Sequence, residues 1–404
     1  MLVNSETNQS IAYSNELLSD VTGKHKILDT ASIVDGQSFI GITFELCERG
    51  LLLDVDGSSD LYSWSWLADV CGCTECNAAG GKQATRQVKD TSLIRLTPVK
   101  AAVTSTDITI VWAHHVSTIP LSLIVDAHNQ ALLQPVKFSS IYDSDEIPSF
   151  DFSEVMTLEN ALGEFLGAVD KYGAALTHNV GTDEDSYLKL VNRFGFIRET
   201  NYGKSFDVIL DPTMTNLAFT DQALFVHTDN PYRDPVPTLQ LLHCLVAGDQ
   251  GGQSIIVDGF KVAQQLREEE PRYFDLLSTY PIRWQYCDQF ADLEFQGKVI
   301  ERDYQGDVIG VRFNERSRTP VILPGHIRNT YLDALAYFRD MLASPKWQIC
   351  FKLEAGQLIL FNNRRVLHGR TQYANSSHRH LKGAYADIDS LRSTLTRIAS
   401  ATKV

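Results

Sequence analysis

The sequence predicts a mainly β protein of the α+β class, divided into a small N-terminal domain rich in β structure and a larger second domain. Short segments of alternating apolar and polar residues, each bounded by Gly, Asp or Ser, recur along the chain and are typical of strands. Few stretches show apolar residues at helical spacing. The chain has 404 residues, more than one ordinary hydrophobic core accommodates, so we expect two unequal domains.

Composition and charge argue against two classes of partner. The formal net charge of −14 argues against a general nucleic-acid binder and favours encounter with a cationic partner. No apolar run approaches the roughly 18 residues needed to span a bilayer, so we expect no membrane partner. The N-terminus lacks the features of a signal or transit peptide, and we therefore expect a cytoplasmic protein.

The first part of the chain predicts a polar extension followed by a small domain. Residues 1–38 are polar and without a regular pattern, and the small domain is predicted over residues 39–140. Its expected strands are Phe39–Phe44, Leu51–Val55, Leu93–Pro98, Ile108–Ala113 and Leu121–Ile124. The acidic, proline-bearing stretch Tyr142–Ser149 is typical of an interdomain linker.

The second domain, residues 150–404, is predicted to combine strands with helical insertions. One helix is indicated over Leu158–Tyr172, another begins after the N-cap Asp258 and ends near Glu270, and a third carries Tyr331 and Leu335 on one face. The expected strands are Leu239–Val246, Ile255–Val257, Val299–Arg302, Val308–Phe313, Ile349–Lys352 and Leu358–Phe361.

A metal-binding pattern stands at the end of an apolar strand. His227 and Asp229 are two residues apart, so their side chains share one face of the strand. Together with the distant His368 they form the two-His, one-carboxylate set of non-haem Fe(II) oxygenases, which leaves coordination positions open for a cosubstrate and O2. The later Arg379 offers a permanently charged partner for an anionic cosubstrate. The alternative is a buried structural His227 and an unrelated surface arginine.

A second metal site is indicated by three closely spaced cysteines, Cys71, Cys73 and Cys76. Tetrahedral zinc needs a fourth ligand, and either His114 or His115, at the end of a predicted strand, could supply it. Four protein ligands leave no open position, so such a zinc would be structural and would stabilise a small domain. The alternatives are unligated cysteines or a redox role.

Six segments carry a resemblance to a known family. They are Trp66–Asp69, Phe225–Asp229, Gly251–Ser254, Val257–Phe260, Leu367–Arg370 and Arg379–Asp387. On these segments the chain, over Phe39–Ser390, resembles the γ-butyrobetaine dioxygenase and trimethyllysine dioxygenase family within the wider taurine dioxygenase group of 2-oxoglutarate oxygenases.

The resemblance implies a fold and a cofactor site. The implied fold is a double-stranded β-helix, or jelly roll, whose open end holds the metal. His227, Asp229 and His368 are the implied iron ligands, and Arg379 the implied partner of the C5 carboxylate of 2-oxoglutarate. Ser254 lies where related enzymes place a hydroxyl near that cosubstrate.

The same resemblance also implies the fourth zinc ligand of the small domain and the oligomeric state. The family pattern His-x-Ser matches His115-Val116-Ser117, which selects His115 as the fourth zinc ligand. The family precedent also implies a homodimer.

Four aromatic residues match the positions that surround a trimethylammonium group, namely Tyr202, Phe206, Phe219 and Tyr385. A quaternary ammonium donates no hydrogen bond, so its selective binding depends on aromatic faces. Phe206 and Phe219 depart from the Trp and Tyr of the butyrobetaine pattern, and Phe is the weakest cation-π partner. The alternative role of these rings is core packing.

The opposite end of the predicted substrate site is polar and basic. Asn216 and Asn314 match family positions that bind the acid group of the substrate, and Arg316 and Arg318 stand nearby. For a carboxylate substrate, neutral donors suffice and Arg316 would face solvent or pair with an acidic residue. For a phosphonate, an arginine directed into the site would offset the second charge.

The predicted activity is therefore Fe(II)- and 2-oxoglutarate-dependent hydroxylation of a small trimethylammonium acid, with γ-butyrobetaine to L-carnitine as the leading reaction. The alternatives are 2-trimethylaminoethylphosphonate or trimethyllysine as substrate. A different class of function would be a metal-bound ligand-binding module without turnover.

Overall fold

The computed structural model describes residues 11–13, 42–47, 49–55, 58–71, 98–103, 106–112, 115–128, 139–143, 146–183, 185–209, 222–248, 251–372 and 379–401. The chain divides into two compact units, Met1–Val136 and Lys137–Val404. Most of the predicted polar extension, and residues 93–97 of one predicted strand, lie outside the described residues. Within the described ranges, no helix has the length and apolar character needed to cross a bilayer.

The first unit contains two antiparallel sheets and two helices in its described part. In chain order its elements are β1 (Ile11–Tyr13), β2 (Ile42–Cys47), β3 (Gly50–Val55), β4 (Ser58–Ser63), α1 (Trp64–Asp69), β5 (Lys100–Val103), β6 (Asp107–Val111), β7 (Val116–Pro120) and α2 (Leu121–His128). One sheet has the order β1-β5-β6-β7 and the other β2-β3-β4.

The strand predicted at Leu121–Ile124 is wrong, because these residues begin helix α2. A stretch of four residues with three apolar side chains, Leu-Ser-Leu-Ile, is too short for periodicity to distinguish a strand from a buried helix. In the structure Leu121, Ile124 and Val125, at i, i+3 and i+4, are buried together in the core of this unit. The helical spacing therefore becomes visible only when Val125 is included.

The second unit alternates strands and helices. Its elements are β8 (Ser149–Asp151), α3 (Phe152–Thr157), α4 (Glu159–Tyr172), β9 (Ala174–His178), α5 (Ser186–Phe194), β10 (Phe206–Ile209), β11 (Leu224–His227), β12 (Leu239–Val246), β13 (Ser254–Asp258), α6 (Gly259–Glu269), α7 (Pro271–Thr279), β14 (Ile282–Cys287), β15 (Asp292–Gly297), β16 (Ile300–Arg302), β17 (Val308–Val311), α8 (Gly325–Ala343), β18 (Ile349–Phe351), β19 (Leu358–Asn362), β20 (Val366–Arg370), β21 (His380–Ala386) and α9 (Ile388–Ala401).

Two sheets form the centre of this unit. The larger has the order β10-β21-β12-β19-β9-β8, and the smaller has the order β11-β20-β13-β18. Strands β11, β12 and β13 alternate between the two sheets, and so do β18, β19, β20 and β21. This alternation is the winding expected of a double-stranded β-helix.

The side chains of β19 show how the layers are held together. Leu358 and Leu360 pack with helices α3, α4, α5 and α9 on the outer face of the larger sheet. Ile359 and Phe361 point the other way and pack with residues of the smaller sheet, such as Ile256. Helices α6, α7 and α8 cover the far face of the smaller sheet. Because neighbouring strand residues face opposite sides, one short apolar strand joins two cores.

The predicted α4, α6 and α8 are confirmed, whereas α3, α5, α7 and α9 were not predicted. Asp258 caps α6 as expected, accepting hydrogen bonds from the backbone N–H groups of Phe260 and Lys261. In the predicted linker, the Tyr142 hydroxyl donates to the backbone carbonyl of Trp347 and accepts from the backbone N–H of Asp258 at 3.0 Å. Tyr142 therefore packs within the second unit.

Candidate active site

Strands β11 and β20 bring the two predicted histidine ligands together. His227 pairs directly with His368 across the ladder, and a register shift lies between Leu224 and His227. The two imidazole rings are 4.4 Å apart between centroids. The ladder thus places side chains that are 141 positions apart in the sequence next to one another.

Asp229 completes a three-residue group just beyond the end of β11. The potential ligand atoms of His227, Asp229 and His368 all lie within 4.8 Å of one another. The Nε2 atom of His227 is 3.2 Å from Oδ1 of Asp229. Among the described residues, no other group of three His, Cys, Asp or Glu side chains meets this spacing.

Both histidines are prepared to act as ligands. Nδ1 of His227 is 2.8 Å from the backbone carbonyl of Phe225, which can only accept, so Nδ1 carries the proton and Nε2 keeps its lone pair. Burial, followed by the neighbouring His227 and the positive charge of Arg316, lowers the pKa of His368 to about 3. His368 is therefore neutral at neutral pH, and its buried Nδ1 has no hydrogen-bond partner. This donor set fits a divalent metal.

The Asp229 carboxylate is held from several sides. Burial alone would raise its pKa, but the neighbouring His227 and His368 and the hydrogen bond from the Tyr385 hydroxyl lower it below the ordinary value. Oδ2 accepts from Gln240 at 2.9 Å and from Tyr385 at 2.8 Å. The group is therefore ionised and fixed in orientation.

A cavity of about 540 Å³ opens beside this group. Ten of the predicted site residues line it, namely Tyr202, Phe206, His227, Asp229, Ser254, Asn314, Arg316, His368, Arg379 and Tyr385. The other two predicted substrate-binding residues, Asn216 and Phe219, lie outside the described residues. One cavity thus joins the metal-ligand candidates to the described residues predicted for cosubstrate and substrate.

Two buried arginines, Arg379 and Arg370, line this cavity. They are 8% and 4% exposed, respectively. Ser254 is the cross-strand partner of Arg370 between β13 and β20. Arg370 was not predicted as a site residue, although its position two residues after His368 on one strand would have placed it on the same face.

The aromatic lining is more extensive than predicted. Ring centroids are 5.1 Å apart for Phe206 and Tyr385, 6.2 Å for Tyr202 and Phe206, and 5.9 Å for Tyr202 and Tyr286. Tyr286 stacks on Tyr232 at 5.0 Å. Tyr232 and Tyr286 were missed: the first stands three residues after Asp229, but nothing near Tyr286 in the sequence indicated the site.

At the end predicted for the acid group, the side chains of Asn314 and Arg316 make different contacts. Oδ1 of Asn314 accepts from the backbone N–H of Arg316 at 3.1 Å, and its Nδ2 lies 3.3 Å from the carbonyl oxygen of Thr228. Nη2 of Arg316 lies 3.2 Å from Nε2 of His227. The guanidinium is thus directed towards the metal-ligand group, unlike the orientation expected for a carboxylate substrate. Arg318 is not among the residues that line the cavity.

Two of the four predicted zinc ligands are neighbours in the first unit. Sγ of the buried Cys71, just after α1, is 3.3 Å from Nε2 of His115, which precedes β7. Cys73 and Cys76 lie outside the described residues.

Comparison with known proteins gives the same family as the sequence motifs. Residues 134–385 match the family described as taurine catabolism dioxygenase TauD, TfdA family. Gamma-butyrobetaine dioxygenase of Pseudomonas sp. (strain AK-1) is 37% identical over 250 residues, which are 62% of this chain and 65% of that protein. The human gamma-butyrobetaine dioxygenase is 30% identical over 364 residues, 85% of this chain and 92% of that protein. Mitochondrial trimethyllysine dioxygenase of Mus musculus is 27% identical over 368 residues, 88% of this chain and 87% of that protein.

The family match covers more than half of the chain, and the similarity to the human enzyme extends over most of both proteins. The resemblance inferred from the motifs is thereby confirmed. The chain therefore belongs to the TauD/TfdA family of Fe(II)- and 2-oxoglutarate-dependent dioxygenases.

Proposed function

We propose that this protein hydroxylates a small trimethylammonium acid, with γ-butyrobetaine to L-carnitine as the leading reaction. We base this on one observation above all: the three potential iron ligands stand in the wall of a cavity that Tyr202, Phe206 and Tyr385 also line. The similarity to gamma-butyrobetaine dioxygenases supports the choice of substrate.

In this proposal His227, Asp229 and His368 hold Fe(II). The bound iron, 2-oxoglutarate and O2 together supply the oxidation: one oxygen atom enters the C–H bond of the substrate, the other enters succinate, and CO2 is released. The protein's contribution is to bind, orient and exclude water. The buried Arg379 neutralises the far carboxylate of 2-oxoglutarate, with the Ser254 hydroxyl nearby.

The aromatic lining supports a cationic substrate. A quaternary ammonium gains from ring faces in a desolvated site, and each such contact contributes up to about 2 kcal/mol. Tyr385 stands beside the metal-ligand group, since its hydroxyl donates to Asp229, and the ring of Phe206 is 5.1 Å from that of Tyr385. An isostere with a neutral tert-butyl group in place of the trimethylammonium group would lose this attraction while keeping the same shape.

The orientation of Arg316 favours a second candidate substrate, 2-trimethylaminoethylphosphonate. Its guanidinium lies in the cavity, where a dianionic phosphonate would gain more from it than a carboxylate would. Asn314, in contrast, has both its side-chain polar groups engaged by Thr228 and by the backbone of Arg316. The two substrates are distinguished by direct competition.

A structural zinc, a homodimer and a cytoplasmic location remain part of the proposal. The contact between Cys71 and His115 supports zinc bound by Cys71, Cys73, Cys76 and His115. Elemental analysis of iron-free protein should give about one zinc per chain, and this should be lost in Cys71→Ser but kept in Cys287→Ser. Light scattering tests the dimer. Cell fractionation tests the compartment, since some relatives are mitochondrial.

The experiment that tests the function measures succinate released when the enzyme is given O2, 2-oxoglutarate and each of four compounds. These are γ-butyrobetaine, 2-trimethylaminoethylphosphonate, trimethyllysine and 5,5-dimethylhexanoate, in which a neutral tert-butyl group replaces the trimethylammonium group of γ-butyrobetaine. We expect substrate-dependent release with a trimethylammonium compound, an equal amount of hydroxylated product, and little release with the isostere. Ligand binding without any release would instead identify a binding module.

A further inference from the structure

Gln240 is a buried polar residue that the sequence did not mark as part of the site. It lies on β12 with Tyr385 of β21 and Phe361 of β19 as its cross-strand partners, and its side chain is directed to the face that lines the cavity. The residue is 1% exposed. Its Nε2 atom lies 2.9 Å from Oδ2 of Asp229.

The chemistry of the contact fixes which way the amide points. With the reverse orientation, the Gln240 carbonyl would face the ionised Asp229 carboxylate, an arrangement of two acceptors without a proton. Nε2 therefore donates to Oδ2. In this orientation the Oε1 atom of Gln240 is buried without a hydrogen-bond partner.

An unpartnered buried carbonyl destabilises the folded protein, whereas an apolar side chain of similar volume would not. Gln240 therefore stabilises the fold less than an apolar residue of similar volume would at this position. What its amide does provide is the hydrogen bond to Asp229.

A second donor reaches the same carboxylate oxygen. The hydroxyl of Tyr385, the direct cross-strand partner of Gln240, donates to Oδ2 of Asp229 at 2.8 Å. The other oxygen, Oδ1, lies 3.2 Å from Nε2 of His227. Two donors from adjacent strands thus occupy one carboxylate oxygen and leave the other facing the histidine ligands.

We propose that Gln240 is a positioning residue that acts with Tyr385 to present Asp229 to the metal ion through Oδ1 alone. This inference rests on the proposed iron site. Hydrogen bonds to a metal-binding carboxylate fix its orientation before the ion arrives, and the loss of such a contact typically weakens metal binding about 10- to 100-fold.

The test compares metal affinity with stability in Gln240→Met, which keeps the side-chain volume and removes the donor. We expect the dissociation constant of Co(II), measured on metal-free enzyme, to rise about 10- to 100-fold. The melting temperature of the metal-free protein should stay the same or rise, because the unpartnered carbonyl is removed. Gln265→Met is the matched control, since Gln265 donates to a carboxylate, Glu269, at 2.9 Å on the exposed side of α6. It should change neither quantity.

Unchanged Co(II) affinity in Gln240→Met would overturn the proposal. So would a weaker affinity accompanied by an equally large loss of stability, because that is the result of a merely structural role. If Gln240→Met does not fold, Gln240→Asn, whose amide is one methylene too short, is judged by the same two quantities. Asp229→Ala distinguishes failure of the Gln240 proposal from failure of the iron site, because wild-type Co(II) affinity in that variant would refute the iron site itself.

Discussion

The Nη2 atom of the Arg316 guanidinium lies 3.2 Å from Nε2 of His227. This relationship connects the residue predicted for the acid group of the substrate with a residue predicted to bind iron. Arg316 reaches the cavity because the backbone turn that carries it is held by Asn314, whose Oδ1 accepts from the Arg316 N–H. An anionic group bound at this guanidinium would therefore lie close to the metal-ligand group.

Arg316→Ala should weaken substrate binding. A hydrogen bond to a charged group contributes about 1.5 to 3 kcal/mol, so we expect KM for the preferred substrate to rise roughly tenfold or more. Arg318→Ala is the control, since Arg318 stands two residues away and does not line the cavity. The measurement is KM for γ-butyrobetaine and for 2-trimethylaminoethylphosphonate in both variants. A larger rise in KM for the phosphonate would identify it as the substrate whose acid group Arg316 binds more strongly. No rise in KM for either compound would show that Arg316 does not bind the substrate.

Removing any one of His227, Asp229 and His368 should abolish metal binding and turnover. Each supplies one ligand atom of a group within 4.8 Å, and alanine supplies none. His326→Ala is the control because His326 is exposed near the start of α8. Co(II) titration of the metal-free proteins and succinate release should both fail in the three variants and persist in the control. Full succinate release in any of the three would disprove the iron assignment.

Replacing Arg379 by lysine should mainly raise the concentration of 2-oxoglutarate needed for half-maximal rate. A guanidinium binds a carboxylate through two parallel hydrogen bonds, and an ammonium provides only a point charge. The exposed Arg392, which pairs with Asp170 at 2.9 Å, gives the control Arg392→Lys. We expect KM for the trimethylammonium substrate to change little. Equal 2-oxoglutarate dependence in Arg379→Lys and the wild type would place that carboxylate elsewhere.

Much of this site could be predicted because its signals are local in the sequence. His227 and Asp229 are two residues apart at the end of β11, and Asp258 stands immediately before the helix that it caps. Such signals depend on strand alternation and on capping chemistry, which act within a few residues. The same reasoning located α4, α6 and α8.

What was missed depends on strand pairing and on loop geometry. Gln240 and Tyr385 meet at Asp229 because β12 pairs with β21 in the register that makes them cross-strand partners, which no local pattern specifies. Tyr286 belongs to a hairpin whose position beside Tyr202 is set by tertiary packing. Asn314, predicted as a donor for the acid group, lines the cavity and also contacts the carbonyl oxygen of Thr228 and the Arg316 backbone, which no local pattern specifies.

Arg365 and Asp258 form a buried ion pair in the second unit. The guanidinium of Arg365 donates to both carboxylate oxygens of Asp258, at 3.1 and 2.8 Å. The side chains are 2% and 1% exposed. Arg365 also donates to the backbone carbonyls of Lys171 at 2.9 Å and Ser139 at 2.7 Å. One side chain thus joins the start of α6, the end of α4 and the segment before the 3₁₀ turn at Ile141–Asp143.

Arg365→Met should destabilise the protein by about 3 to 5 kcal/mol, because it leaves the Asp258 carboxylate buried without its charged partner. Arg392→Met breaks the Arg392–Asp170 pair, in which the arginine side chain is 44% exposed, and should cost no more than about 1 kcal/mol. Urea unfolding of the full chain measures the free energy of unfolding of both variants.

Adding Asp258→Asn to Arg365→Met should recover part of the lost stability, since it removes the unpaired charge and keeps a side-chain oxygen that can cap α6. Equal destabilisation by Arg365→Met and Arg392→Met would contradict this role, because solvent would then be screening the Asp258 charge as effectively as it screens a surface pair.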